Sequence, residues 1–579
     1  MKKVTIIFII IGVLAISAYV FVRHSLGTKG VEPPAANGAP APKPAESLLD
    51  LRPRLITKLQ ELVNTGSGGL YRLSIREIEP DVLASTLSLK NIRLTPDSAV
   101  LRNLESTGHR PDDVFSFSLD SLRIEGIGIN DLLAKDVIDL KTILLLAPTI
   151  EIFHQKPENT KTPGDATTLY QRLNKQLKHL SINQLTIRGG TVIVHQYAKK
   201  KATRFNAVEA NLSGILLDSS TQYDKKRFLF AEDANLSTKN IGWRTADDLY
   251  DVKIGMASIA ATKGRLSLTN MQLAPRYSKD EFQNHVKVMT ERFSLSIPSA
   301  ELHDVDWWDL INEDILQASS ADINNADFSV YLDHRQPSGP PNKSNFPHQL
   351  LMAMYMKIYI PVVRLNHIQV ASEEFSKLSD QAGTLYVTDL QGTVTNLTNM
   401  PSAIKKNSHT KVEATGIFMH KIKAKLGLDF DLANYRSGAF GASLSAKDLD
   451  PLVINPLAAP MGLFKVERGT VQLLESHLKG NSKGATGQVK FNYKQLRLSA
   501  LEKDKKNPGE LNKKHVTSIL ANVILIKDDN PSGNNAPRQA DDAQFTYDPH
   551  TSFFNLIWKT TFVGILKIIG APKKLATAR

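Results

Sequence analysis

Residues 115–129 are FSFSLDSLRIEGIGI, and apolar and polar side chains alternate along this stretch. The side chains of a β-strand point to opposite faces in turn, so a period of two predicts strands with one apolar and one solvated face. The pattern skips two residues after Leu119 and again after Ile124, which predicts bulges or tight turns. The same alternation runs through 179–195, 412–432 and 486–498.

One phrase occurs twice in the chain. Residues 86–96 are TLSLKNIRLTP and residues 265–275, 179 positions later, are RLSLTNMQLAP. Further matches follow at an offset of 178, among them Phe115 with Phe293 and Leu212 with Leu390. We therefore predict a structural duplication, and the alternative is a coincidence between strands of similar composition.

Helical patterns are too few to cover these strands. They occur at 46–64, near 131–140, 304–316 and 345–356, and at the end of the chain. A chain of 579 residues with this pattern would supply about 25 to 35 strands, whose apolar face must be buried against something. We predict a mainly β fold, an elongated antiparallel sheet that curls into a groove or half-barrel, with few helices and an N-terminal transmembrane helix.

The apolar phase of the strands is predicted to face the interior of this groove. That interior is either filled by side chains or open to acyl chains, and both cases need the same alternation. The candidate lining residues are Leu87, Leu89, Phe117, Leu119, Leu122, Ile124, Ile182, Ile187, Leu266, Leu268, Leu295, Ile297, Ile360 and Leu365.

The N-terminus predicts export. Met1-Lys2-Lys3 precedes 19 uncharged, mostly apolar residues at 4–22, which is ~28 Å as a helix and enough to cross a bilayer. The lysines place the N-terminus in the cytoplasm and the rest of the chain outside. Residues 1–24 are predicted to be a single-pass anchor, with a cleaved signal peptide as the alternative. The Pro- and Ala-rich stretch 25–45 is then a stiff linker, and 46–69 an amphipathic helix and turn.

The remaining chain is predicted to form a first β repeat unit at 70–250, a second at 251–400, and a C-terminal β unit with mobile loops at 401–552. Residues 553–579 are predicted to be an amphipathic closing helix with a basic tail. That helix suits a membrane interface or a plug against the groove, and a cap that packs on the last strands is an equal alternative. The candidate interface residues are Phe554, Ile557, Trp558, Phe562, Ile565, Lys559 and Lys567.

Composition and motifs point away from an enzyme. The chain has no cysteine, which excludes thiolate nucleophiles and cysteine-bound metals, and it lacks the common nucleotide-binding and hydrolase motifs. The acidic stretch HDVDWWDLINED (303–314), with His303, Asp304, Asp306 and Asp309, is interpreted as a strand-to-helix turn rather than a site. We predict no catalytic residue, metal or cofactor. The formal charge of +13 favours anionic surfaces, and the basic tract 405–425 lacks the interleaved aromatics typical of nucleic-acid binding.

Together, the predicted anchor, the early helix before GLYRLSIREIEPDVLASTLSLKNIRL, the alternating strands and the closing LESHLKGNSKGATGQVKFNYKQLRLSALEK resemble the AsmA-like envelope family, which includes TamB-like β-groove proteins. The likeness is one of pattern over nearly the whole chain. It implies a protein of the bacterial inner membrane whose bulk lies in the periplasm. It also implies that a β-groove handles phospholipid transport or outer-membrane maintenance, with possible envelope protein partners. A structural or assembly factor with a closed core is the alternative.

Overall fold

The computed structural model describes residues 56–571, apart from 127–136, 155–178, 197–200, 340–345, 514–522 and scattered single or paired positions. The predicted anchor, the linker, most of the helix at 46–64 and the basic tail at 572–579 therefore lie outside the described residues. The protein is mainly β, with 59% of the described residues in strands and 17% in helices. Among the described residues, no helix combines the length and apolarity needed to span a bilayer.

The strands follow one another with few interruptions. Their bounds are β1 Tyr71–Asp81, β2 Thr86–Pro96, β3 Asp113–Glu125, β4 Val137–Leu146, β5 Thr149–His154, β6 His179–Gln196, β7 Lys201–Leu217, β8 Asp233–Arg244, β9 Tyr250–Ala260, β10 Arg265–Pro275, β11 Arg292–His303, β12 Ile315–Gln317, β13 Ser320–Asn324, β14 Asp327–Asp333, β15 Lys357–Phe375, β16 Ala382–Thr398, β17 His409–Phe418, β18 Ile422–Asp431, β19 Phe440–Leu449, β20 Phe464–Asn481, β21 Gly484–Lys503, β22 Leu511–Lys513, β23 Val523–Ile524 and β24 Gln539–Thr546.

The helices are short except for the last. They are α1 Ser98–Ser106, α2 Lys279–Val286, α3 Trp307–Asn312, α4 Pro347–Ala353, α5 Pro401–Lys406, α6 Asn455–Gly462 and α7 Phe553–Ile569, with 3-10 turns at Tyr435–Ser437 and Pro451–Ile454. The helix predicted near 131–140 is wrong from Val137 onward, where β4 begins. There the pattern Ile138, Leu140, Ile143 and Leu145 suits a strand better, and β3 and β6 supply its hydrogen bonds.

The chain packs as two compact units. Unit 1 holds the described residues before 246 together with 254–266 and 307–313, and unit 2 holds the described remainder. In unit 1, β1, β2 and β3 form an antiparallel ladder whose apolar residues face each other in register, as Leu87 does with Ile124 and Leu89 with Leu122. These four side chains are almost fully buried, so this face of the ladder is a closed core.

Unit 2 is built on one long meander. Strands β15 to β21 pair consecutively and antiparallel, and β24 adds to β21. Because hairpin-linked strands turn back at alternate ends, short turns and helices collect at the two ends of this sheet. Helix α7 packs on β20, β21 and β24, and its apolar side chains join theirs in the core.

The sheet is mixed, whereas the sequence predicted antiparallel strands throughout. Strand β6 runs parallel to β4 and β5, and β15 runs parallel to β12, β13 and β14. In each case two or three short strands come first in the chain, and the long strand that follows runs parallel to all of them. Alternation specifies which face a residue takes but not the direction of the neighbouring strand, so the pattern could not distinguish the two arrangements.

Equivalent elements recur at the offset seen in the sequence. Strands β2 and β10 are both 11 residues long and are each followed by a capped helix. The Tyr71 hydroxyl accepts from Phe115 N at 3.4 Å, and the Tyr250 hydroxyl accepts from Phe293 N at 3.2 Å. Ala147 N donates to Arg188 O, and Asn325 N donates to Asn366 O. The two segments thus share local hydrogen bonds as well as sequence.

One predicted mobile loop is instead held in place. In the polar tract DDNPSGNNAPRQADD, the fully buried Asn530 donates to Phe491 O at 2.7 Å and to Arg538 O at 2.8 Å, and accepts from Arg538 N at 2.6 Å. Its amide satisfies backbone groups that would otherwise be buried without partners. The polar composition indicated a loop correctly, but it could not show that one asparagine fastens it to β21.

Candidate apolar binding site

Helix α7 has a capping residue at each end. The Ser552 hydroxyl accepts from Asn555 N at 3.1 Å at the N-terminus, and Gly570 ends the helix in the left-handed conformation. Between them, FFNLIWKTTFVGILKII is apolar on most sides, and its only charged residues are two lysines. A helix this apolar needs cover over most of its surface.

The sheet of unit 2 provides that cover. Gly564 lies so close to the sheet that a β-carbon there would be 2.5 Å from Val489 Cγ2 and 3.1 Å from Ala543 Cβ. The buried Thr561 and Ser476 hydroxyls lie 2.9 Å apart and bind each other, and the Thr560 hydroxyl donates to Leu556 O at 2.7 Å. The small residues bring the helix close to the strands, and the hydroxyls there are satisfied.

Beside the C-terminal half of α7 the packing leaves a cavity of about 160 Å³. Its walls come from β17 to β21, the 3-10 turn Pro451–Ile454 and α7, and none of its surface is polar. The ring of Phe562 stacks on Phe464 at 5.5 Å and on Trp558 at 5.7 Å, so three aromatic rings form one wall. An apolar cavity of about 150 Å³ stays dry and can hold a benzene-sized molecule. This cavity therefore suits an apolar ligand such as part of an acyl chain.

The chemistry of this cavity is limited to apolar contact. All of its lining residues are Phe, Ile, Ala, Leu, Pro, Val or Trp, so it presents no ionisable group or nucleophile. Among the described residues of the protein, no group of three His, Asp or Glu side chains could hold a metal ion. The site can bind and orient an apolar group, but its lining offers nothing for acid–base chemistry.

The structure divides the predicted groove residues into two sets, according to burial. The side chains of Leu87, Leu89, Phe117, Leu119, Leu122, Ile124, Ile182 and Ile360 are buried, whereas those of Ile187, Leu266, Leu268, Leu295, Ile297 and Leu365 are half-buried. Pairs in β2 and β3 meet directly, and on β11 Leu295 lies opposite Phe328 of β14. None of these residues lines the cavity beside α7.

Sequence reasoning missed the cavity residues that strands β17 to β21 supply. The signal was present, because 412–432 and 486–498 alternate and the closing helix is apolar. What was missing was the knowledge that the helix lies against these particular strands.

The predicted membrane-interface residues of α7 lie mostly inside the protein. Ile557, Phe562 and Ile565 are buried in the core, and Trp558 is half-buried and lines the cavity. Lys559 and Lys567 are half-buried, and Lys567 Nζ donates to Asp542 O at 2.8 Å. Only Phe554, at the N-terminus of the helix, exposes more than half of its surface. The helix thus caps the last strands, because burying its apolar face against them removes it from water.

The acidic stretch 303–314 forms a turn and a short helix. His303 Nε2 lies 2.7 Å from Asp322 Oδ2, and the Ser319 hydroxyl donates to Asp304 Oδ2 at 2.6 Å. Asp309 lies in the first turn of α3. His303 and Asp304 thus bind neighbouring polar side chains, which agrees with the turn that the sequence predicted.

In comparisons with known proteins, no family model and no curated protein matches this chain.

Proposed function

We propose that this chain is an inner-membrane-anchored periplasmic protein of the AsmA-like kind, whose apolar β-groove handles phospholipid in transport or outer-membrane homeostasis. The observation that carries the proposal is the wholly apolar cavity beside α7. Residues 4–22 would supply the anchor and the linker at 25–45 the spacing from the membrane. The role is non-enzymatic.

A second observation supports an open apolar face. On β11 and β14, Leu295, Ile297, Phe328 and Val330 are only half-buried, although strands of this composition normally bury one face. Phe293 and Phe328 stack there at 6.1 Å. An acyl chain lying along these side chains would remove their exposed surface from water at ~25 cal/mol per Å².

The closed core of β1 to β3 supports the alternative, a structural or assembly factor without a lipid cargo. There Leu89, Ile92 and Leu119 leave almost no exposed surface, so that face has no room for a ligand. Under this alternative the cavity beside α7 is a packing defect, and the outer faces of the strands bind envelope partners.

Photocrosslinking decides between the two. The full-length protein would be incubated with a phospholipid that carries a diazirine on its acyl chain, irradiated, and its adducts mapped by mass spectrometry. Lipid handling predicts adducts on the cavity side chains Phe464, Trp558 and Phe562. Ala446→Phe would fill the cavity and remove these adducts, whereas Ala202→Phe, at an exposed position of β7, would retain them.

Native mass spectrometry of the same samples gives the bound stoichiometry, and thermal unfolding confirms that both variants fold. Two outcomes would exclude the cavity as a lipid site and favour the structural role. One is that the unmodified protein gives no adducts in the cavity. The other is that a folded Ala446→Phe variant gives the same adducts as the unmodified protein.

A further inference from the structure

One end of the sheet in unit 2 collects several short elements. Strands β16 and β18 end there at Thr398 and Asp431, and the turn between β20 and β21 lies at the same end. Hydrogen bonds link the elements in sequence: Gln349 Nε2 of α4 donates to Tyr435 O, and Ser482 N donates to Ser437 O. The ring of Phe346, just before α4, lies 5.0 Å from that of Phe553 at the start of α7. Helices α4 and α5 and the start of α7 thus lie at the same end of the sheet.

Large apolar side chains point into solvent at this end. Of the ten large apolar side chains that are exposed among the described residues, five lie here. We call them the apolar rim: Leu350 (56% exposed), Met354 (45%), Tyr355 (53%), Met356 (41%) and Phe554 (54%). Single exposed apolar residues are common, but a cluster of five is typical of a contact surface.

The rim is held rigidly. The fully buried Asn399 donates from Nδ2 to Leu351 O at 3.3 Å, to Met354 O at 3.4 Å and to Met356 O at 2.9 Å, and its Oδ1 accepts from Ile358 N at 2.8 Å. Thr398 Oγ1 adds a bond to Ile358 O at 2.8 Å. A buried amide that satisfies four backbone groups fixes the turn 354–356. The backbone that carries Met354, Tyr355 and Met356 is therefore already ordered, which lowers the cost of binding.

Basic residues lie on the strand ends, turns and short helix at the same end of the sheet. We call them the basic ring: Lys357, Lys405, Lys406, Arg436, Lys479 and Lys483. All six are exposed, and no carboxylate of the described residues lies within ion-pair distance of them. The nearby carboxylates Asp431 and Asp548 are half-buried and bind within their own turns, to Asn434 and His550. The surface around the apolar rim is therefore strongly positive.

We infer that the apolar rim and basic ring dock this end of unit 2 onto a bilayer surface rich in anionic lipid. The inference rests on the proposed lipid-handling function for its context, and names the surface through which that function meets a membrane. Met, Leu and Phe side chains bury at the boundary between headgroups and acyl chains, and Tyr suits the interface. The lysines bind the phosphates around them.

The basic ring favours a membrane over a protein partner. Five of its six members are lysine, a residue depleted from protein–protein interfaces but effective at anionic membranes.

The absence of cysteine from the chain permits a site-specific test. Full-length Tyr355→Cys, labelled with an environment-sensitive NBD dye, would be reconstituted into phosphatidylcholine vesicles. A second vesicle population, of phosphatidylcholine alone or mixed with phosphatidylglycerol, would then be added. We expect the NBD emission to rise and shift to the blue with the anionic vesicles alone. The same dye at Tyr223→Cys, exposed in unit 1, should not respond.

Matched substitutions separate the contribution of the basic ring from that of the apolar rim. Lys405→Gln with Lys406→Gln should weaken vesicle binding about fivefold per lysine, whereas Lys225→Gln with Lys226→Gln, an exposed pair elsewhere, should not. Met354→Glu with Met356→Glu should abolish the NBD shift at position 355 while Leu83→Glu with Tyr223→Glu preserves it. Asn399 binds backbone groups and not the side chains of Met354 or Met356, so the glutamate variants should fold.

An NBD probe at position 355 that stays in water with anionic vesicles would overturn the inference, and so would an equal response with neutral vesicles or at position 223. The result is independent of the cavity. Crosslinks in the cavity without docking would leave the proposed function intact and remove only this surface. Docking without crosslinks in the cavity would support this membrane-binding surface and remove the cavity as a lipid site.

Discussion

Asn91 and Asn270, 179 residues apart, occupy the same position in strands β2 and β10, and both adopt the left-handed conformation, with φ of 51° and 52°. In β2 the apolar phase shifts at this point, because Leu89 and Ile92 are both buried although they are three residues apart. The asparagine therefore changes which residues face the core. Asparagine is among the few residues that enter this conformation at low cost.

We predict that Asn91→Val and Asn270→Val each destabilise the protein by about 1–2 kcal/mol, because a β-branched residue is strained at positive φ. Asn→Gly at either position should be nearly neutral, since glycine adopts this conformation freely. Urea unfolding followed by circular dichroism would measure the difference. Arg93→Val, at an exposed position of the same strand, is the control. Equal stability of the Val and Gly variants would contradict the role of the backbone conformation.

A second prediction concerns His348. Its ring is buried and stacks on Phe430 at 5.0 Å, and no described residue binds either ring nitrogen. Burial lowers the pKa of His348 from 6.5 to about 4, and Asp431 opposes this only in part. As pH falls from 6.5 to about 4, the unfolded chain takes up a proton that the folded protein does not, so stability is lost across this range.

His348→Phe should remove that loss and keep the stacked ring. The full shift corresponds to on the order of 3 kcal/mol, which sets the largest expected effect at acid pH. The measurement is the thermal midpoint of both proteins as a function of pH, with His348→Leu as a second variant if the larger ring does not fit. Parallel pH profiles for the unmodified protein and both variants would show that His348 does not titrate as described.

A third prediction concerns Glu291, for which stability is expected to fall as pH rises, the opposite of the dependence expected for His348. Burial first, and then the charge of Glu374, raises the pKa of Glu291 from 4.5 to about 7. Between these values the folded protein retains a proton that the unfolded chain has lost, so stability falls as pH rises through the interval. Glu291→Gln should therefore be more stable than the unmodified protein above pH 7 and equally stable near pH 4.5.

Thermal unfolding across this range tests the prediction, and Glu313→Gln at an exposed position is the matched control. The Glu374 carboxylate accepts from or pairs with His334 Nε2 at 2.8 Å, so Glu374 is left unchanged in this experiment. A Glu291→Gln variant with the same pH profile as the unmodified protein would disprove the raised pKa.

A fourth prediction concerns the contact of α7 with the sheet. Gly564→Ala should destabilise unit 2 by about 1–3 kcal/mol, because the added methyl would overlap Val489 and force the helix from the strands. Gly441→Ala in β19 is the matched control: a β-carbon there would be 3.6 Å from Asp429 Cβ, an ordinary contact. Hydrogen exchange of the α7 amides would report the effect. Equal protection in the two variants would mean that the close approach at Gly564 is not needed for packing.

Part of this fold follows from the sequence. The alternation at 115–125 predicts strand β3 and its buried face. The bulge or tight turn predicted after Leu119 was wrong, because β3 stays in register with β2 there, with Ile92 opposite Leu119 and Lys90 opposite Ser121. The direction of pairing did not follow, because β4 and β6 would alternate in the same way if they were antiparallel. Nor did the fixed loop at Asn530, because a polar tract gives no sign of which side chain will find buried backbone groups.

The candidate site was less predictable than the fold. The apolarity of residues 553–569 indicated a helix in need of cover, and both a membrane and a sheet could provide it. The cavity is formed by side chains as far apart in sequence as Phe418 and Ile569, and the apolar rim joins 350–356 with Phe554. No local pattern brings such residues together.

The sequence by itself determined the strand-rich character of the protein, the apolar face of strands such as β2 and β3, and the repeat that places Asn91 and Asn270 at the same position of β2 and β10. These are properties of neighbouring residues, set by backbone sterics and by the alternation of side chains along a strand. Only the tertiary structure decided that α7 lies against β20, β21 and β24, that a cavity remains beside it, and that apolar and basic residues meet at one end of the sheet. These depend on contacts between distant parts of the chain, which form where burial removes the most apolar surface from water.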